Sequence, residues 1–148
     1  MTGRRRLLLL CACAGVAAAA RTLASPRKNL DAWVRVAGDS TYVIAVDTTR
    51  IKRRYGREYV VWSRTDHAET RFYNGMRFNR EIVQSLLQCQ GFAFRVASVD
   101  MSLNGRVIAR QRTNDGELGR QEWRRVEAGT TEAIAAQATC ELARQRSK

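Results

Sequence analysis

The pattern of apolar and polar residues in the first two thirds of the chain is typical of β-strands. Residues 42–46 and 59–62 are rich in β-branched and aromatic side chains, and residues 32–36 form a candidate opening strand. Residues 92–96 alternate between large apolar and small or charged side chains, which predicts a strand with one buried face. Residues 121–126 are the candidate last strand. This part of the chain therefore predicts a β-sheet.

The clearest local signal of topology is a predicted hairpin turn at Asn104 and Gly105. The pair lies between residues 92–96 and the apolar residues Val107 and Ile108. An Asn-Gly pair supplies the positive φ angles that a type I′ turn requires. We therefore expect two neighbouring antiparallel strands on either side of it.

Two segments lack a clear strand pattern. Residues 79–87 show no clean alternation, so we expect a short helix or a turn there. Residues 65–69 are polar and predict a loop. Large aromatic side chains in strand contexts most often pack in the core, which is where we expect Trp33, Trp62 and Trp123.

The last part of the chain changes to a helical pattern. Thr130 or Thr131 offers an N-cap hydroxyl, and an acidic residue such as Glu132 is stabilised in the first turn by the helix dipole. Small residues then recur at helical spacing, at Ala133, Ala136, Cys140 and Ala143. The helix should end near Arg146. We therefore expect an α+β fold, in which a C-terminal α-helix packs on an antiparallel sheet.

The N-terminal segment has the layout of a secretory signal peptide. Three arginines at positions 4–6 precede an apolar run at residues 7–20, and small residues follow. The run is too short to span a bilayer. We therefore expect residues 1–24 to be a signal peptide, residues 25–29 a short tether, and residues 30–148 a single domain.

More than one processing route fits this segment. Cleavage after Ala24 or after Ala20 leaves small residues before the cut, whereas a lipoprotein cut would make Cys13 the new N-terminus. The arginines at positions 4–6 also resemble a twin-arginine signal. We expect export to the periplasm without a lipid, and the alternative is an outer-membrane lipoprotein or a cell-surface protein.

Removal of the signal peptide leaves two of the four cysteines, Cys89 and Cys140. Exported proteins fold where disulfides form, so we expect these two residues to be bonded. The bond would close a loop of about 50 residues, which stabilises a fold by about 4 kcal/mol in the chain-entropy model. The alternatives are two free thiols, or a metal site, for which two cysteines and one histidine are too few ligands.

The expected mature chain is basic, with 22 Lys and Arg against 14 Asp and Glu, a net charge of +8. This charge favours anionic partners such as lipopolysaccharide, a polyanionic glycan or an acidic protein face, and we expect no nucleic acid for an exported protein. Guanidinium groups pair well with phosphate and sulfate, so the candidate anionic-ligand patch is Arg50, Lys52, Arg53, Arg54 and Arg57. The alternative is a solvated hairpin tip whose charges discourage aggregation.

No constellation of catalytic residues is recognisable in the sequence. His67 is the only histidine, and Asp66 is too close in sequence to form a relay with it unaided. The chain lacks a Gly-x-Ser-x-Gly elbow, a phosphate-binding glycine loop and a His-Glu-x-x-His helix. We therefore expect a non-enzymatic protein without a catalytic residue, a metal or a cofactor.

An ordered set of short segments extends over nearly all of the expected mature chain. The set consists of Trp33 with Val36, residues 42–47 with Ile51, residues 61–62, Cys89 with residues 92–95, residues 105–107, 123–126 and 129–132, and Cys140. In this order the segments resemble the surface-adhesin protein E family of Gram-negative bacteria. The resemblance implies a sheet of about six antiparallel strands and a C-terminal helix tethered to it by a disulfide.

The resemblance also implies a function in binding. The family takes its name from lipoproteins that bind host matrix proteins, and haem binding has been associated with it. We interpret the chain as an exported envelope protein with an adhesin-like domain, whose ligand is a host matrix protein or an anionic polymer. The alternative is a structural or accessory periplasmic protein without a dedicated ligand. Peripheral association with the envelope and a homodimer both stay open.

Overall fold

The structure of the protein, a computed structural model, describes residues 32–146. The predicted signal peptide and tether, residues 1–29, lie outside the described residues. The described elements are β1 (Trp33–Gly38), β2 (Tyr42–Asp47), a 3₁₀ turn (Thr48–Arg50), β3 (Lys52–Arg53), β4 (Glu58–Tyr73), β5 (Met76–Gln88), β6 (Ala93–Leu103), β7 (Arg106–Arg112), α1 (Asp115–Arg120), β8 (Arg124–Arg125) and α2 (Thr131–Arg146).

The sheet is antiparallel, with its main strands in the order β1-β2-β4-β5-β6-β7. The two-residue strands lie off this path, β3 beside β4 and β8 beside β6. Neighbours in the sheet follow each other closely along the chain, so short connections suffice. The expected α+β fold, with about six antiparallel strands and a C-terminal helix, is confirmed.

The central strands β4 and β5 are longer than the sequence pattern predicts. Residues 65–69, expected as a loop, lie inside β4, and residues 79–87, expected as a helix or turn, lie inside β5. Both predictions are wrong. Both stretches are strands because they pair with each other across the β4–β5 hairpin, where Asp66 and Arg80 also form an ion pair.

The hairpin of β4 and β5 projects beyond the rest of the sheet. The pairing of β4 with β2 ends at His67, and the pairing of β5 with β6 ends at Arg80. Residues 68–79, which we call the hairpin tip, therefore extend past both neighbouring strands. Asn74 and Gly75 close the tip with φ angles of 48° and 76°. Sequence analysis missed this second Asn-Gly turn.

The Asn-Gly turn predicted between β6 and β7 is confirmed. Asn104 and Gly105 have φ angles of 50° and 83°, which a tight hairpin turn requires. The prediction for residues 121–126 is wrong in extent, because only Arg124–Arg125 pair with β6. The short helix α1, which sequence analysis did not predict, precedes them.

Helix α2 begins and ends where the sequence pattern predicts. Thr130 Oγ1 accepts a hydrogen bond from the backbone N–H of Ala133 at 3.2 Å and so caps the helix. Small side chains on one side of α2 pack onto the sheet in a buried cluster of Tyr59, Val61, Leu87, Ala136, Cys140 and Ala143. We call this side of the sheet the helix face and the opposite side the outer face. Within residues 32–146, no helix is long and apolar enough to cross a membrane.

The disulfide between Cys89 and Cys140 is present, which confirms that prediction. The two Cα atoms are 5.7 Å apart. Cys89 lies directly after β5 and not at the start of the next strand, whereas Cys140 is fully buried on α2. The bond therefore joins the helix to the end of the central hairpin.

We expect Cys89→Ser to lower the free energy of unfolding by about 4 kcal/mol, because the bond closes a loop between residues 51 apart. This is a large share of a total of about 5–15 kcal/mol. Urea unfolding of the wild-type protein and the variant measures it. Cys140→Ser and the double variant should lose the same amount, since each removes the same bond. Additive losses, or two alkylatable thiols in the exported wild-type protein, would contradict the prediction.

Candidate functional site

Most of the predicted anionic-ligand patch lies in the turn that joins β3 to β4. We call residues 52–57 the basic turn. The backbone N–H of Arg54 donates to the carbonyl of Glu58, and the N–H of Glu58 donates to the carbonyl of Tyr55, both at 2.9 Å. Gly56 takes the positive φ of 56° that closes the turn. Residues 52–57 therefore form a hairpin turn between β3 and β4.

The cations of the basic turn are exposed to solvent. Within residues 32–146, no acidic side chain forms an ion pair with Lys52, Arg53, Arg54 or Arg57. Arg53 Nε donates to the carbonyl of Gly56 at 3.2 Å, and the guanidinium of Arg54 lies 5.8 Å from the ring centroid of Tyr55. Tyr55 is 76% exposed. The turn thus presents four cations and one aromatic ring to a partner.

Arg50, the fifth residue of the predicted patch, lies apart from the other four. Its Nε donates to Oδ2 of Asp47 at 2.5 Å. Its guanidinium carbon is 4.5 Å from the ring centroid of Trp62 and 5.6 Å from that of Trp33. Arg50 is therefore paired with Asp47 and stacked on tryptophans of the outer face. Of the five predicted residues, only Lys52, Arg53, Arg54 and Arg57 lie together in the basic turn.

The tryptophans are half-buried and lie outside the core cluster, so the expectation of core anchors is wrong. Trp33 contacts a second cation, because the guanidinium of Arg64 lies 5.0 Å from its ring centroid. The guanidinium of Arg95 lies 4.4 Å from the ring of Trp123. Each such cation–π contact stabilises a partly exposed site by about 0.5–1 kcal/mol. The rings therefore order the arginines of the outer face.

Carboxylates continue this network across the outer face. Arg64 Nε lies 2.8 Å from Oδ2 of Asp66 without hydrogen-bond geometry, and Arg80 Nε donates to the other oxygen, Oδ1. Asp100 pairs in the same way with two arginines of β7, at 3.8 and 2.5 Å. These arginines of the outer face are therefore already paired, unlike those of the basic turn.

The alternation of the sequence contains the signal for this network, although sequence analysis missed it. Trp62, Arg64 and Asp66 are spaced by two residues, and a strand places such residues on one face. The sequence pattern does not predict Arg80 as the cross-strand partner of Asp66. Its position depends on the register of a hairpin whose second strand was expected to be a helix or turn.

Asp47 is the buried anchor of the network and is only 3% exposed. Burial by itself raises the pKa of its carboxyl. The carboxylate accepts hydrogen bonds from the Thr49 hydroxyl at 2.6 Å, the Thr49 N–H at 2.9 Å and the Arg50 guanidinium. Together these bonds outweigh the effect of burial, so the pKa of Asp47 lies below its usual value. Asp47 is therefore charged at neutral pH and holds Arg50 against the tryptophans.

His67 lies inside the sheet and not in a loop. Its side chain is 12% exposed, and its Nε2 lies 3.3 Å from Oε1 of Glu81. Phe78 packs edge-on against the ring, with centroids 5.7 Å apart. Within residues 32–146, no group of three or more His, Cys, Asp or Glu side chains could hold a metal ion. His67 and Glu81 therefore form a polar contact on the helix face.

One known protein family matches this chain. The model of the family described as surface-adhesin protein E matches residues 33–141. This range includes both bonded cysteines, the basic turn and the stacked tryptophans. No match to a curated protein was found.

Two solved structures of Haemophilus influenzae protein E are similar to this fold. The first has a TM-score of 0.50 and 13% sequence identity, and covers 74% of this chain and 84% of that one. The second, crystal form II, has a TM-score of 0.51 and 14% identity, and covers 74% of this chain and 87% of that one. At such low identity the likeness establishes the shared fold and nothing about ligands.

We expect Asp47→Asn to reduce the free energy of unfolding at pH 7 by about 1–3 kcal/mol, because it weakens buried charged hydrogen bonds. A lowered folded-state pKa stabilises the protein above the unfolded value of about 3.9. The difference between wild type and variant should therefore shrink as the pH falls below about 4. Urea unfolding at pH 7, 4 and 3 measures it.

Asp100→Asn is the matched control. Its arginine partners are 65% and 51% exposed, and such surface pairs contribute only about 0–1 kcal/mol. Equal losses at pH 7 from the two variants would show that the Asp47 contacts are no stronger than a surface ion pair.

Proposed function

The chain belongs to the surface-adhesin protein E family, and we propose that it is an exported, non-enzymatic binding protein of the cell envelope whose basic turn contacts an anionic partner. Family membership supports an adhesin-like surface protein. The partner that fits the turn in the periplasm is a sulfated or phosphorylated polymer, and an acidic face of a host matrix protein fits it only if the protein is displayed at the cell surface. Guanidinium groups donate bidentate hydrogen bonds to such oxygen anions.

The observation behind this proposal is the contrast between two sets of arginines. Those that line the outer face beside Asp66 and Asp100 are paired with carboxylates, whereas those of the basic turn have no acidic partner within residues 32–146. Unpaired cations are the ones that gain an interaction when an anion arrives. Tyr55 adds an exposed ring to the same surface.

The fold also holds the basic turn in place. The backbone N–H of Cys89 donates to the carbonyl of Arg57 at 3.2 Å, which connects the turn to the disulfide-bonded end of the sheet. Strand β3 pairs with β4 through Lys52 and Arg53. A site on a rigid scaffold loses less conformational entropy on binding than a mobile loop does. This arrangement supports recognition and requires no catalytic group.

We expect replacement of Arg53, Arg54 and Arg57 by Gln to weaken binding of heparin, a defined sulfated polymer, by about tenfold or more. Binding of the wild-type protein should also fall steeply with added salt, since screening shortens the reach of exposed charges to about 8 Å at physiological ionic strength. Titration followed by fluorescence or calorimetry at two salt concentrations measures both effects.

The matched control replaces Arg106, Arg120 and Arg144, three exposed arginines without an ion pair within residues 32–146. It removes the same charge, so it should weaken binding only a few-fold through the long-range attraction. Equal losses from the two variants would mean that net charge alone attracts the polymer. The protein would then be an envelope component without a dedicated ligand at this turn.

The proposal includes export to the periplasm, without an attached lipid. We expect N-terminal sequencing of the protein from the envelope fraction to give a mature N-terminus near Arg21 or Ser25, as a signal peptide of residues 1–24 implies. A diacylated Cys13 would contradict this expectation. It would instead place the protein on a membrane surface as a lipoprotein.

A further inference from the structure

The helix face contains a cavity that α2 does not fill. Helix α2 and strand β4 both have 16 residues, but the helix is about 24 Å long and an extended strand of that size about 50 Å. The helix therefore covers only part of the strand. Between the N-terminal half of α2 and the uncovered strands lies a cavity of about 590 Å³, within the size range of small-molecule sites.

Most of the cavity wall is aliphatic or aromatic. Its apolar lining includes Ile44, Val61, Val83, Leu87, Phe94 and Val96. Along β5 it extends from Glu81 to Leu87, a distance of six residue steps or about 20 Å. The hydrocarbon core of a bilayer is about 30 Å thick, so one layer of acyl chains is about 15 Å. The cavity is therefore long enough for a single extended acyl chain.

One end of the cavity is polar. His67 and Arg71 line it from β4 and Glu81 lines it from β5, while Glu132 lines the cavity from α2. The Nε2 atom of His67 faces Glu81, whereas its Nδ1 is buried and has no hydrogen-bond partner within residues 32–146. Arg71 has no ion pair within that range either. A ligand carboxylate at this end would meet the guanidinium of Arg71, which is exposed and has no ion pair within residues 32–146.

The hairpin tip beside this polar end exposes aromatic rings. Phe72 is 71% exposed and Tyr73 is 49% exposed, directly after Arg71 in β4. The guanidinium of Arg77 lies 5.9 Å from the ring of Phe72. Aromatic and basic side chains of this kind favour the boundary between lipid and water. The entrance is therefore suited to a ligand that arrives from a lipid surface.

We propose that this cavity binds a long-chain fatty acid, with its carboxylate at Arg71 and its hydrocarbon chain along β5 towards Leu87. The aliphatic wall, the length of the cavity and the unpaired guanidinium at one end all match such an amphiphile. The polar end of the site lies at the far end of β4 from the basic turn. The inference therefore stands independently of the function proposed above.

The test is binding of cis-parinaric acid, a fluorescent fatty acid, to the delipidated full domain. We expect saturable binding at about one molecule per chain, and displacement by dodecanoate in preference to dodecanol or dodecyltrimethylammonium. These three competitors share one chain length and differ in headgroup charge. Absence of saturable binding would overturn the proposal. Equal displacement by all three would overturn the assignment of the carboxylate.

A pair of variants on β5 tests whether the cavity holds the chain. Val83→Trp fills the cavity, and we expect it to weaken binding at least tenfold. Ile82→Trp adds the same ring on the opposite face of the strand, because neighbouring residues alternate, and should change binding less than twofold. Circular dichroism and thermal unfolding show whether each variant is folded. Equal losses from two folded variants would contradict the site.

A second pair tests the headgroup. Arg71→Gln should reduce the preference for dodecanoate over dodecanol by about tenfold while leaving dodecanol binding unchanged. Arg77→Gln removes a neighbouring charge that stacks on Phe72 and does not line the cavity, so the preference should persist. Retention of the preference in the Arg71 variant would overturn the role of that residue.

Discussion

The contact between α2 and the central hairpin, fixed by the Cys89–Cys140 disulfide, organises the rest of this molecule. The helix is short and its packed residues are small, so it comes close to the sheet but covers only one end of it. The buried core therefore concentrates at the disulfide end. The cavity lies beside the N-terminal half of α2 and extends from the core residues Val61 and Leu87 to His67 and Arg71 at the far end of the helix face.

The two faces of the sheet are stabilised by different interactions. The helix face depends on apolar burial, whereas the outer face depends on arginines that lie between aromatic rings and carboxylates. Each surface ion pair is weak when isolated, but a connected set restricts the side chains together. The buried carboxylate of Asp47 anchors that set. This division explains how a strand with polar residues such as Asp66 forms the middle of a sheet.

The fold pairs some arginines with carboxylates and leaves others exposed without an ion pair within residues 32–146. Arg50 and Arg53 are close in sequence, yet one is stacked and paired on the outer face and the other is exposed in the basic turn. An anionic partner gains most from the second kind. The basic turn lies at one end of the long β4 strand and the polar end of the cavity lies at the other, so one domain offers separate surfaces to a polymer and to an amphiphile.

The sequence by itself determined the features that depend on local chemistry. The turn at Asn104 and Gly105, the threonine cap of α2 and its small residues follow from backbone preference and periodicity, and compartment and cysteine count predict the disulfide. Tertiary structure decided the rest. Residues 65–69 and 79–87 are strands because they pair with each other across a hairpin, and no local preference encodes a partner such as Arg80, 14 residues from Asp66. Only the register of that hairpin places His67 beside Glu81, and only the short length of α2 leaves a cavity above them.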